Sequence, residues 1–388
     1  METVPIVGYS DKLSGRPGDQ INFMVSSEHK GDFTAQLFRS VSADPNPKGQ
    51  GIVEYACDDF YPKQTFSSRK QKFDPGSYGI TKQTLEMSAD DNVRFSVTIY
   101  PTLKTSSHQT LIEFGRFCLT LDPEGHPSFS FSSETVTAVD AISIRRWQRV
   151  EAQINKTGLM SIELINLDNS NSSKLAVVQV DLEQDLNEQA CVIIAAQRSE
   201  GSTKNCFNGK IEGPEIYADE QSIALWDFSK NTSSLSVPGI GCPDLVLMNA
   251  PTRAVTGALW DASEMNWQHK PEHYAAIAFH EDDIYDFNWG SDFSFVIPPK
   301  MPSGIYIMRI SCEDDYDAIP FFVCPEKEQP TARLCVLVST FTYVIYGNHA
   351  RPDYKETWLQ RIADWNAYPH NPAQFQSYGL STYNNHSD

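Results

Sequence analysis

Hydrophobic and polar positions alternate along much of this chain. After the turn signal Arg16-Pro17-Gly18-Asp19, the apolar residues Ile21, Phe23 and Val25 alternate with Asn22, Met24 and Ser26. A period of two predicts a half-buried strand. Residues 33–41 (FTAQLFRSV) read as another strand, and the Pro-, Asn- and Gly-rich residues 44–51 as a loop. From Asp91 the strands lengthen. Phe95, Val97 and Ile99 alternate with Arg94, Ser96 and Thr98, and the runs LIEFG, FCLTLD and PSFSFS follow, each bounded by Gly, Pro or Asp. Val150, Ala152 and Ile154, then Met160, Ile162 and Leu164, repeat the pattern on either side of Thr157-Gly158. VVQVDL and ACVIIAAQ come next, and Asn208-Gly209 reads as a tight hairpin. Strands at such short, regular spacing predict an antiparallel sandwich or jelly roll.

A Ser/Asn-rich stretch, SKNTSSLSVPG, reads as a linker, and short strands resume after it. The pattern in residues 304–310 resembles the last strands of a small immunoglobulin-like sandwich. Neither these strands nor the N-terminal ones have an evident core of their own. Residues 1–80 and 235–326 are therefore expected to build one sandwich together, with residues 81–234 inserted as a jelly roll. Residues 327–388 change character. The continuous apolar run RLCVLV (333–338) suits a strand buried on both faces, and Tyr354, Trp358, Ile362 and Trp365 fall at helical spacing. This is the opening of a βα unit, and one parallel strand cannot make a sheet. The expectation is an α/β domain left incomplete within this sequence.

Composition sharpens the picture at a few points. At 388 residues, two or three domains are expected. A formal charge of -19 argues against nucleic acid and anionic membrane surfaces as partners. No apolar run approaches the roughly 20 residues of a membrane span, and the N-terminus lacks the basic and apolar regions of a secretory signal. The eight cysteines are scattered without CxxC, which reads as reduced, buried thiols and a cytoplasmic setting.

Several constellations carry candidate chemistry. His269 and His273 have HxxxH spacing, but Pro271 between them breaks an interior helix, so the metal reading is weak. The acidic runs Glu281, Asp282, Asp283, Asp286 and Glu313, Asp314, Asp315, Asp317 lack EF-hand spacing and read as solvated loops. Glu212 and Glu215 are the nearest pair for a glycosidase, yet i, i+3 positions do not share a strand face. The densest chemistry is C-terminal: Tyr343, Tyr346, His349, Arg351, Tyr378, Tyr383, His386 and Asp388. Tyr343 and Tyr346 follow the carboxyl end of the apolar run, where ligand sites form in open α/β sheets.

The segments VLVSTFTYVIYGN, WNAYP and YGLSTYNNHSD, with the opening VGYSDKLSGRPGDQINFMVSS and the internal FNGKIEGPEIY and NAPTRAVTG, resemble the N,N-dimethylformamidase large (beta) subunit family. The resemblance implies a mainly β chain: an immunoglobulin-like part, a concanavalin- or laminin-G-like jelly roll, and the start of a glutamine amidotransferase-like α/β domain. It implies hydrolysis of the C–N bond of a small amide to amine and formate. It also implies a mononuclear ferric iron held by two tyrosines and a glutamate, and a small partner subunit; homo-oligomer formation is a further expectation. By motif the tyrosines fall on Tyr343 and Tyr383, with Tyr346 and Tyr378 as rivals and His386 and Asp388 as candidate outer groups. The glutamate is expected beyond Asp388, so this chain alone is expected to hold iron weakly and to be inactive. The competing reading is a non-catalytic β-sandwich protein that binds carbohydrate or another ligand.

Overall fold

The computed structural model describes residues 5–43, 49–168, 175–182, 184–199, 201–328 and 332–342. These are almost entirely strand and loop, with a short 3-10 turn at Pro271–Tyr274 and helical residues at 340–342. The chain divides into two compact units, Met1–Phe73 with Asn288–Asp388, and Asp74–Phe287.

The discontinuous unit holds two sheets around one apolar core. The first has the order Ile6–Ser10, Gln20–Ser27, Phe293–Val296. The second runs Ser14–Gly15, Asp315–Val323, Gly304–Cys312, Phe33–Ala43, Ile52–Ala56, with Gln64–Phe66 also on Phe33–Ala43. The alternation read in the sequence is the packing. Ile21, Phe23 and Val25 are buried, and Met24 is buried with them. Phe293 joins the two chain segments. Its ring stacks on Phe66 at 4.7 Å and on Phe23 at 5.0 Å. Such offset aromatic pairs add about 0.5–1.5 kcal/mol beyond the area they bury.

A buried carboxylate closes the same seam. Asp292, whose side chain is 7% exposed, receives the Arg69 Nε at 2.7 Å. Its other oxygen accepts the Val25 amide at 2.7 Å and Gln71 Nε2 at 3.1 Å. Of the acidic residues near 313, Glu313 and Asp314 form an exposed turn, as expected, while Asp315 and Asp317 stand in a strand. Gly304–Cys312 and Asp315–Val323 form a tight hairpin, Asp315 meets His29 at 2.8 Å, and Asp317 accepts the Gly8 amide at 2.9 Å.

The other unit is two facing sheets. One has the order Glu134–Thr137, Pro127–Phe131, Phe117–Leu121, Gln109–Phe114, Val192–Ile194, Tyr78–Thr81, Leu245–Met248, Ser236–Val237. The opposing sheet centres on Asn92–Pro101, flanked by Gln148–Asn155 and Gly209–Ala218. Their inner faces share one core, in which Phe95 meets Phe129 at 5.4 Å and Phe117 at 5.6 Å.

Three expectations need correction here. The return to the first unit comes at Asn288 and not near residue 235. Leu245–Met248 pairs with Tyr78–Thr81 and Ala276–Phe279 with Gly209–Ala218, so the ladder hydrogen bonds hold residues 235–287 in this unit. Asn208-Gly209 is not a hairpin. Gly209 opens a strand beside Tyr100, where a Cβ would come within 2.4 Å of the Tyr100 carbonyl oxygen, and Asn208 is buried with its amide on Gln109. Finally, residues 333–338 form no strand, and Leu334, Val336 and Leu337 are 88%, 84% and 96% exposed. An apolar run becomes a buried strand only beside a pairing neighbour, and none stands beside it among the described residues. Cys335 is accordingly exposed, while of the other free cysteines Cys206 and Cys312 are fully buried and the rest, Cys118 among them, partly buried.

Asp292→Ala is expected to lower the unfolding free energy of the discontinuous unit by about 1–3 kcal/mol, the cost of leaving buried donors unpaired. Hydrogen exchange at the Val25 amide reports it, and unchanged protection there would contradict the role given to this carboxylate.

Candidate functional site

Three adjacent strands build a groove on the outer face of the eight-stranded sheet. Phe117–Leu121, Pro127–Phe131 and Glu134–Thr137 send Phe117, Leu119, Phe129, Phe131 and Val136 into the core. With a period of two, the intervening side chains must point the other way. They are Cys118, Thr120, Ser128, Ser130, Thr135 and Thr137. These, with Gln197 and Asn205 from the neighbouring hairpin, line a groove of about 570 Å³.

Its polar groups are tightly ordered. Ser128 and Thr137 hydroxyls meet at 2.9 Å, as do those of Ser130 and Thr135. Asn205 Nδ2 donates to Gln197 Oε1 at 3.1 Å. Arg116, at one end, is fully engaged: its Nε donates to Glu188 at 3.1 Å, its Nη1 to Gln184 at 2.7 Å, and its Nη2 to the Asn187 carbonyl. Asp122 accepts the His126 amide at 2.7 Å and faces His126 Nδ1 at 3.3 Å.

Two polar atoms on this side of the sheet are buried without a partner, Glu113 Oε2 and Thr110 Oγ1. Register fixes their direction. Thr110 stands opposite Thr120 and Glu113 opposite Cys118, and directly opposed residues share a face. Burial raises the Glu113 carboxyl above its ordinary pKa, against the Arg198 amide, the Lys204 charge and the Gln197 side chain, which favour ionisation. Burial, reinforced by Glu113, pushes the Cys118 thiol up to about 12. Cys118 is therefore a protonated, unreactive thiol at neutral pH.

The sequence-derived candidates fall elsewhere. Tyr343, Tyr346, His349, Arg351, Tyr378, Tyr383, His386 and Asp388 lie outside the described residues, as does the helix expected at 353–365. His269 and His273 are not brought together as ligands. His269 is exposed beside Glu264, while His273 is buried on the 3-10 turn, 3.4 Å from Asp261. Among the described residues no group of three His, Cys, Asp or Glu is placed to hold a metal. Glu212 and Glu215 are separated by a bulge and engaged locally, Glu212 by the Ala258 amide at 2.6 Å and Glu215 by the Ser222 hydroxyl at 2.5 Å. In the acidic run near 283, Asp283 accepts the Ser77 hydroxyl at 2.7 Å and faces His280 Nδ1 at 3.2 Å, fastening the first strand of this unit to its last residues. The groove itself had a sequence signal that went unread: the polar positions at 120, 128, 130, 135 and 137 are all Ser or Thr.

The family model described as "N,N-dimethylformamidase beta subunit-like, C-terminal" matches residues 252–388. The N,N-dimethylformamidase beta subunit of Paracoccus aminophilus is 30% identical over 460 residues, covering 100% of this chain and 58% of that protein. The chain belongs to the N,N-dimethylformamidase beta-subunit family. A second member, from Alcaligenes sp, is 29% identical, again over 100% of this chain and 58% of its own length. The chain thus spans somewhat more than half the length of these beta subunits. Among solved structures, a heptameric SAP-like pentraxin from Limulus polyphemus aligns over 49% of this chain and 77% of its own, with 11% identity and a TM-score of 0.28, too slight a likeness to bear on function. No helix among the described residues is long and apolar enough to cross a membrane.

Because Glu113 resists ionisation in the folded chain, its effect on stability has a definite sign. Below the ordinary carboxyl value of 4.5 it carries no penalty, and the penalty grows as pH rises through that value toward the raised one. Glu113→Gln is expected to gain more in denaturation midpoint at about pH 7 than at about pH 4. Equal shifts at both would show that burial does not raise this carboxyl.

Proposed function

We propose that this chain takes part in an iron-dependent amide hydrolase that splits the C–N bond of a small N-substituted formamide with water, giving an amine and formate. The observation that carries this reading is the match to N,N-dimethylformamidase beta subunits along the whole of the chain. The name beta subunit also supports assembly with a second kind of subunit, with a small amide as substrate.

The donor chemistry of the C-terminal segment suits the reading. Tyr343 and Tyr383 offer phenol oxygens, which as phenolates are hard anionic donors matched to ferric iron more than to zinc or copper. We assign them as the iron-holding residues, with Tyr346 and Tyr378 as the competing pair, His386 and Asp388 as groups that orient them, and a glutamate as the third donor of the set. Bound there, the metal would polarise a formyl oxygen and make water a stronger nucleophile at neutral pH. A dialkylformamide has no N–H to bind, so recognition by this chain falls on shape and on its single carbonyl. An immunoglobulin-like discontinuous unit and a concanavalin-like inserted unit fit the same family reading.

The test is to titrate the 388-residue chain with ferric iron and follow both bound metal and the visible phenolate-to-iron absorption, with dimethylamine and formate release as a separate readout. Tyr343→Phe and Tyr383→Phe are each expected to weaken the absorption and together to abolish it, each lowering iron affinity at least about tenfold, the loss of one charged donor being worth 1.4 kcal/mol or more. Iron content and spectrum unchanged in the double variant would overturn the assignment.

A further inference from the structure

The contiguous unit, Asp74–Phe287, is fastened where it begins and ends by one compact set of hydrogen bonds with a histidine inside it. This feature is independent of the amide-hydrolase reading. The Ser77 amide donates to the His280 carbonyl at 2.9 Å, and the Gly76 amide to the Asp283 carbonyl at 2.8 Å. The side chains repeat the join. Ser77 is fully buried. Its hydroxyl donates to Asp283 Oδ2 at 2.7 Å and accepts the His280 amide at 3.1 Å. The same carboxylate oxygen faces His280 Nδ1 at 3.2 Å. Gly76 has a φ of 102°, and a Cβ there would collide with the Cys206 sulfur, so only glycine fits where the chain enters.

The charged groups around this histidine are acidic. On its own segment, the hydrogen bond to Asp283 raises the His280 pKa, partial burial opposes the rise, and the charges of Asp283 and Asp282 reinforce it. On the entering segment, Asp74 is engaged by the Thr203 amide and hydroxyl, each at 2.9 Å. Burial, with the charges of Glu281, Asp74 and Asp283, pushes the Cys206 thiol up to about 12, so Cys206 brings no charge. Asn249, on the Asp74 and Gly76 carbonyls, and Asn208, on the Glu281 amide, are neutral. His280 therefore keeps its proton to a higher pH in the folded chain than the ordinary 6.5. The stability it adds is complete below 6.5 and is lost as pH rises through the raised value. Neutral imidazole still donates from Nδ1, but that hydrogen bond loses its charge assistance. The carboxylates of Asp282 and Asp283 then lose the cation that offsets them.

We propose that Ser77, His280 and Asp283 form a pH-sensitive clasp, closed by the imidazolium at mildly acidic pH and loosened at alkaline pH, which sets how readily the two ends of this unit part. The clasp guards the entry to Tyr78–Thr81, a strand that pairs with Val192–Ile194 on one side and Leu245–Met248 on the other. The His280 side chain is 42% exposed, so solvent screens its pairing with Asp283. The response is accordingly a local opening and not unfolding of the whole unit.

Hydrogen exchange at the Gly76 and Ser77 amides of the 388-residue chain tests this, measured at about pH 6 and about pH 9 and corrected for intrinsic exchange rates. Protection is expected to be about two- to fivefold higher at the lower pH. His280→Asn keeps a donor toward Asp283 but cannot titrate, and is expected to remove the pH dependence. Asp283→Asn is expected to remove it too, with protection at the lower pH falling to the level of the unaltered chain at the higher one. Thermal melting checks that each variant folds, and if Asp283→Asn does not, His280→Asn decides alone. Equal corrected protection at both pH values in the unaltered chain would overturn the proposal. So would a pH dependence retained in folded His280→Asn, or an equal change in Asn92–Pro101, which would mark an effect on the whole unit.

Discussion

The discontinuous unit depends on joining two pieces of chain separated by more than two hundred residues, and a single carboxylate is central to that join. Asp292 accepts from Arg69, Gln71 and the Val25 amide, contacts that span 223, 221 and 267 positions. Closing so long a loop costs entropy only logarithmically in its length, but it must be repaid by contacts made at the seam itself. The Asp292 hydrogen bonds supply the direction and the stacked rings of Phe23, Phe66 and Phe293 supply the apolar area. In the other unit, Ser77, His280 and Asp283 do comparable work where that segment begins and ends.

How much of this was legible in the sequence follows from what periodicity encodes. Alternation fixes which face of a strand is buried, so Ile21, Phe23, Val25, Phe95, Val97 and Ile99 were readable as core, and they are buried. Alternation does not encode partners. Leu245–Met248 looks like any short strand until its hydrogen bonds to Tyr78–Thr81 are seen, and the expected return to the first unit was therefore displaced by some fifty residues toward the N-terminus. Asn208-Gly209 failed for a different reason. Asn-Gly is a strong turn signal in isolation, but here the missing Cβ serves close approach to the Tyr100 carbonyl, a tertiary demand invisible to local pattern. The run at 333–338 shows the converse: apolar composition describes what a strand needs once it has neighbours, not whether it has them.

The two candidate sites differ in the kind of evidence behind them. The tyrosines at 343 and 383 are proposed from motif and donor chemistry alone and lie outside the described residues. The groove is a geometric finding, built by register and pleat from residues that attracted no motif. Sequence reading favours residues that are chemically conspicuous, such as His269 and His273, and passes over Ser and Thr spaced two apart because each is unremarkable alone. Their arrangement becomes visible only when three strands place them side by side.

The interrupted layout also sets an order of events at the ribosome. Phe23 and its sheet leave the exit tunnel 270 residues ahead of Phe293, counted as 293 minus 23, which at ordinary synthesis rates is a delay of roughly a quarter to a full minute. Throughout that interval the N-terminal strands lack an edge partner, while the contiguous unit from Asp74 to Phe287 has everything it needs to fold. The nascent chain therefore carries a sticky, half-built sheet past a finished one, and its early strands are natural clients for a chaperone until translation reaches Asp292.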